Sequence, residues 1–240
     1  MPLDVPLAPD WQALLPQLVQ AEGTLGLSLT DGQRHDLLAY GALIQRWTQV
    51  YNLTAVRSTG EMFTHHLLDC LAILPALDRV LAGEQQPVRL LDVGSGAGLP
   101  GAVLAILRPE WQVTCVDAVI KKISFIRQAA AELSLRNLAG VHGRVETPGL
   151  FGDTRFRLIT SRAFASLHDF TQLTQPLLGA HGQWVAMKAH VTDAERAELP
   201  ATVQMFHVEQ LRVPGLDAAR CLVWLQPSNS PEAPTPSAAL

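Results

Sequence analysis

The chain has 240 residues, of which 48% are hydrophobic and 17% charged, and a formal net charge of −4. That length buries a full core, that composition excludes a disordered or fibrous chain, and no apolar run is long enough to span a membrane. A net negative charge also argues against binding nucleic acid through overall charge alone.

Cys70, Cys115 and Cys221 are far apart in apolar surroundings, the pattern of reduced core thiols in a cytoplasmic protein. The opening MPLDVPLAPD has neither the basic region nor the apolar core of a secretory signal, so a cytoplasmic location is expected. Residues 1–9 read as a loose Pro-rich lead. Trp11, Leu14, Leu15, Leu18 and Val19 then fall on one helical face. Thr30 with Gln33 is a capping-box signal, and the helix it opens aligns Leu37, Tyr40, Ile44, Trp47 and Tyr51 in a stripe that reads as core. Asn52-Leu53-Thr54 breaks that pattern. Ser58 with Glu61 opens a further helix through Leu74, which makes residues 1–75 a helical subdomain. His65 and His66, adjacent on that helix, project about 100° apart and make a poor chelate; no Cys or His spacing points to a metal, so none is expected.

From Val88 the pattern becomes strands alternating with helices, which predicts a mostly parallel sheet over residues 76–226. The first strand, Val88 to Val93, carries Asp92 and runs into Gly94, Gly96 and Gly98 and a helix from Ala102 to Leu107. The second, Trp111 to Val116, ends at Asp117 and is followed by a helix from Lys121 to Leu135. A third near Leu138 to Val141 leads to Arg144-Val145-Glu146. The fourth, Arg157 to Thr160, ends at Ser161-Arg162, and the fifth, Gln183 to Met187, ends at Lys188. Strands near Val203 to Val213 and Cys221 to Leu225, parted by Pro214-Gly215, form an antiparallel edge. Residues 227–240 are a disordered tail by composition.

Strand, glycine turn, helix is the entry to a nucleotide-type pocket. Gly96, Gly98 and Gly101 satisfy the dinucleotide spacing, with Asp117 about 20 residues on. Yet Gly94 and Ser95 separate the turn from the strand, and Asp92 beside a pyrophosphate would repel it. S-adenosylmethionine (SAM) has no phosphate and carries an ammonium and a sulfonium, so an acid before the glycines suits it. Ligands of open α/β sheets sit beyond the carboxyl ends of the strands. Gly94 to Gly98, Asp117, Glu146, Arg162 and Lys188 should therefore share one rim. There Asp117 can accept from two ribose hydroxyls, Glu146 or its neighbouring main chain can meet the adenine, and Asp92 with the Gly94–Gly98 main chain can hold the methionine end. Between residues 108 and 162, nine basic residues stand against five acidic ones, which reads either as a nucleic-acid face or as solvated helix surface.

The acceptor is constrained by what the chain lacks. Carbon-5 of a pyrimidine needs a cysteine nucleophile in a motif, an exocyclic amine needs a run such as D-P-P-Y, and a hydroxyl needs a general base. None stands out, whereas guanine N7 offers a lone pair without a base. A small-metabolite methyltransferase, a dinucleotide-sensing regulator and an RNA-binding factor with a vestigial fold remain as alternatives.

The segments WTQVYNLTAVR, HHLLDCL, LLDVGSGAGLPG, Asp117 with KKISFIRQ, GRVE, SRAFASL and MK, in this order, resemble the bacterial 16S rRNA guanine-N7 methyltransferase family, RsmG, formerly glucose-inhibited division protein B. The resemblance runs from about Leu25 to Leu225. It implies a Rossmann-like class I SAM-dependent methyltransferase fold with a seven-stranded sheet, SAM as donor and S-adenosyl-L-homocysteine as product. The implied acceptor is N7 of the guanine at conventional position 527 in the decoding-region loop, in 16S rRNA or the 30S subunit. By motif position the SAM contacts fall on Gly94, Leu99, Asp117, Ala118, Val119, Val145, Glu146 and Arg162. Asn52, Arg57 and His66 fall near the target base or its backbone, Arg162 on SAM or RNA, and Lys188 on phosphate. The chain departs from the family's usual residues at His65, Arg157, Ala189 and Gln226.

Overall fold

A computed structural model describes residues 7–84, 87–164 and 166–228. Most of the expected Pro-rich lead and of the expected tail lies outside the described residues. The strands are β1 (Arg89–Val93), β2 (Gln112–Asp117), β3 (Leu138–His142), β4 (Phe156–Arg162), β5 (Leu178–Lys188), β6 (Val203–Leu211) and β7 (Arg220–Pro227). They form one seven-stranded sheet in the order β3-β2-β1-β4-β5-β7-β6. The pairs from β3 through β5 are parallel; β7 runs antiparallel to both β5 and β6. The strand order reverses direction between β1 and β4, which is where an open α/β sheet leaves a crevice.

The central strands are apolar on both faces because helices cover both. Successive residues point to opposite sides. Leu90 belongs to a core shared with Trp11, Leu37, Tyr40, Val113 and Leu158, while Leu91 belongs to one with Val116, Ile159, Phe170 and Trp184. The first core is closed by α1 (Pro9–Gln12), α2 (Leu15–Leu25), α3 (Asp31–Tyr51), α6 (Leu74–Leu81), α7 (Gly101–Leu107) and α8 (Ile120–Glu132); α9 (Leu167–Thr174) packs on the second. The amino-terminal helices are thus a layer on the sheet. Residue 75, the expected boundary, lies in α6, whose buried residues share the first core with the helices before it.

Local signals account for most of the helix ends. Thr30 and Gln33 form the expected capping box, and Asn52 closes α3 in the left-handed region at φ 51°. Ser58 accepts from the Glu61 N–H at the start of α4 (Thr59–Met62). Two helical expectations change. A turn at Ala13-Leu14 separates α1 from α2, so Trp11, Leu14 and Leu18 are buried while Leu15 and Val19 face solvent; the single face needed one unbroken helix. The helix expected from Ser58 to Leu74 contains a π-helical segment, Phe63–Leu68, then α5 (Asp69–Leu71), and a turn before α6.

Trp11 joins the first helix to α3. It is fully buried, and its indole N–H donates to Gln45 Oε1 at 2.6 Å. Its six-membered ring lies over Gly41, where a Cβ would meet Trp11 Cζ3 at 2.2 Å. Glycine inside a helix ordinarily costs about 1 kcal/mol relative to alanine. Here the sign reverses: Gly41→Ala is expected to destabilise the protein by roughly 1–3 kcal/mol through overpacking. Urea unfolding measures this, and a more stable variant would show that α1 does not pack there.

Candidate active site

The loop from β1 to α7 is built on left-handed glycines: Gly94 at φ 65°, Gly96 at 58° and Gly98 at 73°. Side chains there would be strained, which is the reason for alternating glycines. The Gly94 and Ser95 N–H groups donate to the Val116 carbonyl at 2.9 and 3.2 Å, tying the loop to β2. Asp117 Oδ2 accepts from the Gly96 N–H at 3.0 Å and pairs with Lys122 Nζ at 3.4 Å, and its Oδ1 accepts from the Val119 N–H at 2.8 Å. Asp92 is fully buried and its Oδ2 accepts from the Gly101 N–H at 2.9 Å. Only glycine fits at Gly101, because a Cβ would lie 2.5 Å from Cys115 Sγ and 2.9 Å from that same oxygen. From below, the Tyr40 hydroxyl of α3 donates to the Ala97 carbonyl.

Above the loop lies a cavity of about 770 Å³ at the carboxyl ends of β1, β4 and β5. One wall is the main chain of Gly94 to Ala97 with Leu99; the other carries Arg162, Lys188 and Arg220. Leu53, Thr54, His66 and Asp69 of the helical layer form the roof. The register places the strand ends together, with Val93 beside Ser161, Ser161 beside Ala186, and Asp117 beside His142.

Sequence-predicted residues sort into four groups. Gly94, Gly96, Leu99, His66, Arg162 and Lys188 line the cavity. Asp117 is buried behind the loop, with exposed Ala118 and Val119, buried Val145 and exposed Glu146 beyond it along the ends of β2 and β3. Glu146 pairs with Arg144 at 2.7 Å, which holds its carboxyl below the usual range. Asp92, buried beneath the loop, and Gly98, at its far end, are outside the cavity lining. Asn52 and Arg57 lie outside the cavity lining, where Arg57 donates to Asn52 Oδ1 at 2.6 Å and to the Thr48 carbonyl at 2.9 Å, so the pair closes the end of α3.

His66 is buried; Arg162 Nη1 lies 3.5 Å from its Nδ1, and its Nε2 lies 2.8 Å from Thr54 Oγ1. A guanidinium only donates, so Nδ1 accepts and Nε2–H donates to Thr54. Asp69 was not singled out by sequence. Its Oδ2 lies 3.4 Å from Arg162 Nη1 and its Oδ1 3.0 Å from Arg220 Nε. Within HHLLDCL it is one acid on an apolar helix, and its partners come from β4 and β7. The π-helical segment immediately before it carries His66; such segments recur at functional sites.

Five of the nine bases of residues 108–162 are ion-paired. Arg108 pairs with Asp78, Lys122 with Asp117, Arg144 with Glu146, Arg157 with Glu84 and Arg162 with Asp69, while Lys121 lies 5.5 Å from the Tyr51 ring centroid. Among the described residues no cluster of three His, Cys, Asp or Glu is arranged to hold a metal ion, and no helix is long and apolar enough to cross a membrane.

The model of the family described as rRNA small subunit methyltransferase G matches residues 33–223. The chain belongs to that family. Its relatives named ribosomal RNA small subunit methyltransferase G include one from Polaromonas sp., 59% identical over 204 residues covering 84% of this chain and 88% of the relative. Another, from Albidiferax ferrireducens, is 59% identical over 212 residues, covering 85% and 93%. Solved structures show the fold: TrmN from Thermus thermophilus aligns with a TM-score of 0.51 at 18% identity, over 72% of this chain and 54% of its own. A mutant of MtNAS in complex with S-adenosylmethionine aligns at 0.54 with 14% identity, over 92% and 93%. The fold is that of a class I methyltransferase.

Two buried groups give this family member opposite pH dependences. Burial pushes Asp92 up to about 7 from an ordinary 3.8, against the opposing pull of the Gly101 N–H and Arg162. The folded chain then holds that proton more tightly than the unfolded one. Its contribution to stability is full below about pH 4 and is lost as pH rises through about 7. Burial and the Arg162 charge push His66 down to about 4 from 6.5; its contribution is present above about pH 6.5 and is lost as pH falls through about 4. Unfolding free energies of Asp92→Asn measured from pH 4 to 8 should lose the downward Asp92 component, and those of His66→Gln the upward His66 component. Unchanged slopes would contradict the burial of these charges.

Proposed function

We propose that this chain transfers a methyl group from SAM to N7 of a guanine in the decoding-region loop of small-subunit rRNA, at conventional position 527, and releases S-adenosyl-L-homocysteine. The substrate is 16S rRNA or the 30S subunit, and the working compartment is the cytoplasm. The observation that carries this reading is the loop backed by two buried carboxylates. Asp117 stands under the Gly94–Gly98 main chain, where a carboxylate would repel a pyrophosphate and favour a ligand bearing an ammonium and a sulfonium; Asp92, raised by burial to about 7, adds part of a negative charge at neutral pH. The cradle has room for it: a Cβ on Gly96 would meet nothing within 4 Å and one on Gly94 only the Phe164 ring edge at 3.9 Å.

SAM would supply an activated methyl on sulfur. The chain's residues position the partners. Asp117, at the end of β2, would accept from the ribose hydroxyls, with Val119 and Val145 beside the adenine. The Gly94–Gly96 main chain would hold the methionine end. The acceptor nitrogen would take the methyl as its bond to sulfur broke, leaving a neutral thioether. Guanine N7 loses no proton, so no base is required.

The chemistry of the buried thiols and of His66 agrees with such an acceptor. Burial pushes the Cys70, Cys115 and Cys221 thiols up, away from the thiolate that carbon-5 methylation needs. His66 is held neutral with Nδ1 turned to Arg162 and is a weak base near pH 7.

Methyl transfer from labelled SAM to small-subunit rRNA or 30S particles lacking N7-methylguanine, mapped by chemical cleavage, should give one product in the decoding-region loop. Absence of transfer to any ribosomal substrate would overturn the acceptor and leave a small-metabolite methyltransferase. Asp117→Ala should raise the KM for SAM at least tenfold without moving the mapped position; an unchanged KM would remove Asp117 from the donor site.

A further inference from the structure

The rim holds a pair of arginines whose open faces the donor does not account for. Asp69, 3% exposed, lies between Arg162 at the end of β4 and Arg220 at the start of β7. Arg220 uses Nε on Asp69 and Nη1 on the Ala219 carbonyl at 2.9 Å. Arg162 uses Nη1 on the His65 carbonyl at 3.0 Å and on Asp69. Among the described residues, Arg220 Nη2 and Arg162 Nη2 and Nε make no hydrogen bond. Both side chains remain about a quarter exposed, and both line the cavity.

One carboxylate between two guanidiniums leaves an excess positive charge. The other charged groups in the wall, Lys188 and Glu195, cancel in an ion pair. The wall therefore carries a net positive charge in a chain whose total is −4. A fixed pair of guanidinium forks fits an oxyanion.

Strand order says which oxyanion. The donor loop follows β1, whereas Arg220 opens β7, three positions along β1-β4-β5-β7. At ordinary strand spacing that is about 14 Å from the donor strand. Because β7 is antiparallel, its first residue lies at the same rim, with Cys221 beside Lys188 in the register. Arg162, on the strand next to β1, is within reach of the donor; Arg220 lies over the half of the crevice left for the acceptor.

We propose that Arg220, oriented by the buried Asp69, binds a phosphodiester oxygen of the acceptor RNA next to the target base, and that Asp69 is the positioning residue linking it to Arg162. This rests on the rRNA reading above. A carboxylate of SAM is the other source of the same chemistry.

The test uses the full chain with R220Q and the charge-keeping R220K, each checked for an unchanged melting temperature. R220Q should raise the KM for 30S or rRNA acceptor about tenfold at saturating SAM. It should make the slope of log kcat/KM against log salt shallower by about 0.7, the loss of one single-strand phosphate contact. Affinity for S-adenosyl-L-homocysteine, measured without RNA, should stay within twofold, and R220K should restore most of the slope. Inorganic phosphate should inhibit the unaltered protein in competition with RNA, a measurement that survives even if R220Q fails to fold. A tenfold loss of S-adenosyl-L-homocysteine affinity, or phosphate competing with SAM, would assign the site to the donor and overturn the proposal. Unchanged KM and slope in a folded R220Q, with methyl transfer intact, would reduce Arg220 to a structural partner of Asp69. If the unaltered protein methylates no ribosomal substrate, the rRNA reading itself falls.

Discussion

Asp92 and Asp117 lie at the carboxyl ends of neighbouring parallel strands; Asp117 accepts from the Gly96 N–H within the loop and Asp92 from the Gly101 N–H where the loop enters α7. A glycine-rich loop in water has many conformations. Two carboxylates fixed by the register of β1 and β2 select one of them, and the Tyr40 hydroxyl holds the same loop from beneath. The shape of the cavity and the open space over Gly96 depend on that restraint.

The restraint has an electrostatic cost, visible in Asp92. It is wholly buried, its second oxygen has no hydrogen-bond partner among the described residues, and its proton affinity is raised to near neutrality. Gly101 and Cys115 leave no room for a larger neighbour, so the acid and the helix start are packed as a unit.

The helical layer does two jobs that its sequence did not separate. Its inner face closes the core over β1, β2 and β4 through residues such as Trp11, Leu37 and Tyr40. Its far end, from Leu53 to Asp69, becomes the roof of the cavity and supplies His66 and Asp69. The same layer thus anchors the loop through Tyr40 and organises the arginines of the opposite wall. Two departures from the family's usual residues have local partners: Arg157 pairs with Glu84, and Gln226 is buried beside Gln204 with an amide contact at 3.4 Å.

By itself the sequence determined the order of the seven strands, the helices that follow the first two of them, both amino-terminal capping signals and the glycine turn with an acid before and after it. Each of these is a local pattern, set by periodicity or by which residue fits a given backbone angle. It also carried enough ordered motifs to mark the family. Where the first helix breaks, and hence that Leu15 and Val19 face out, was decided by Trp11 packing on Gly41. The charge in residues 108–162 was legible as a count, but pairing with Asp78, Glu84 and Asp69 from elsewhere in the chain decided what it is available for. Asp69 and Arg220 were invisible as a pair because they meet only after β7 inserts between β5 and β6. An ion pair of distant residues leaves no spacing to read, and only the completed sheet brings them to one rim.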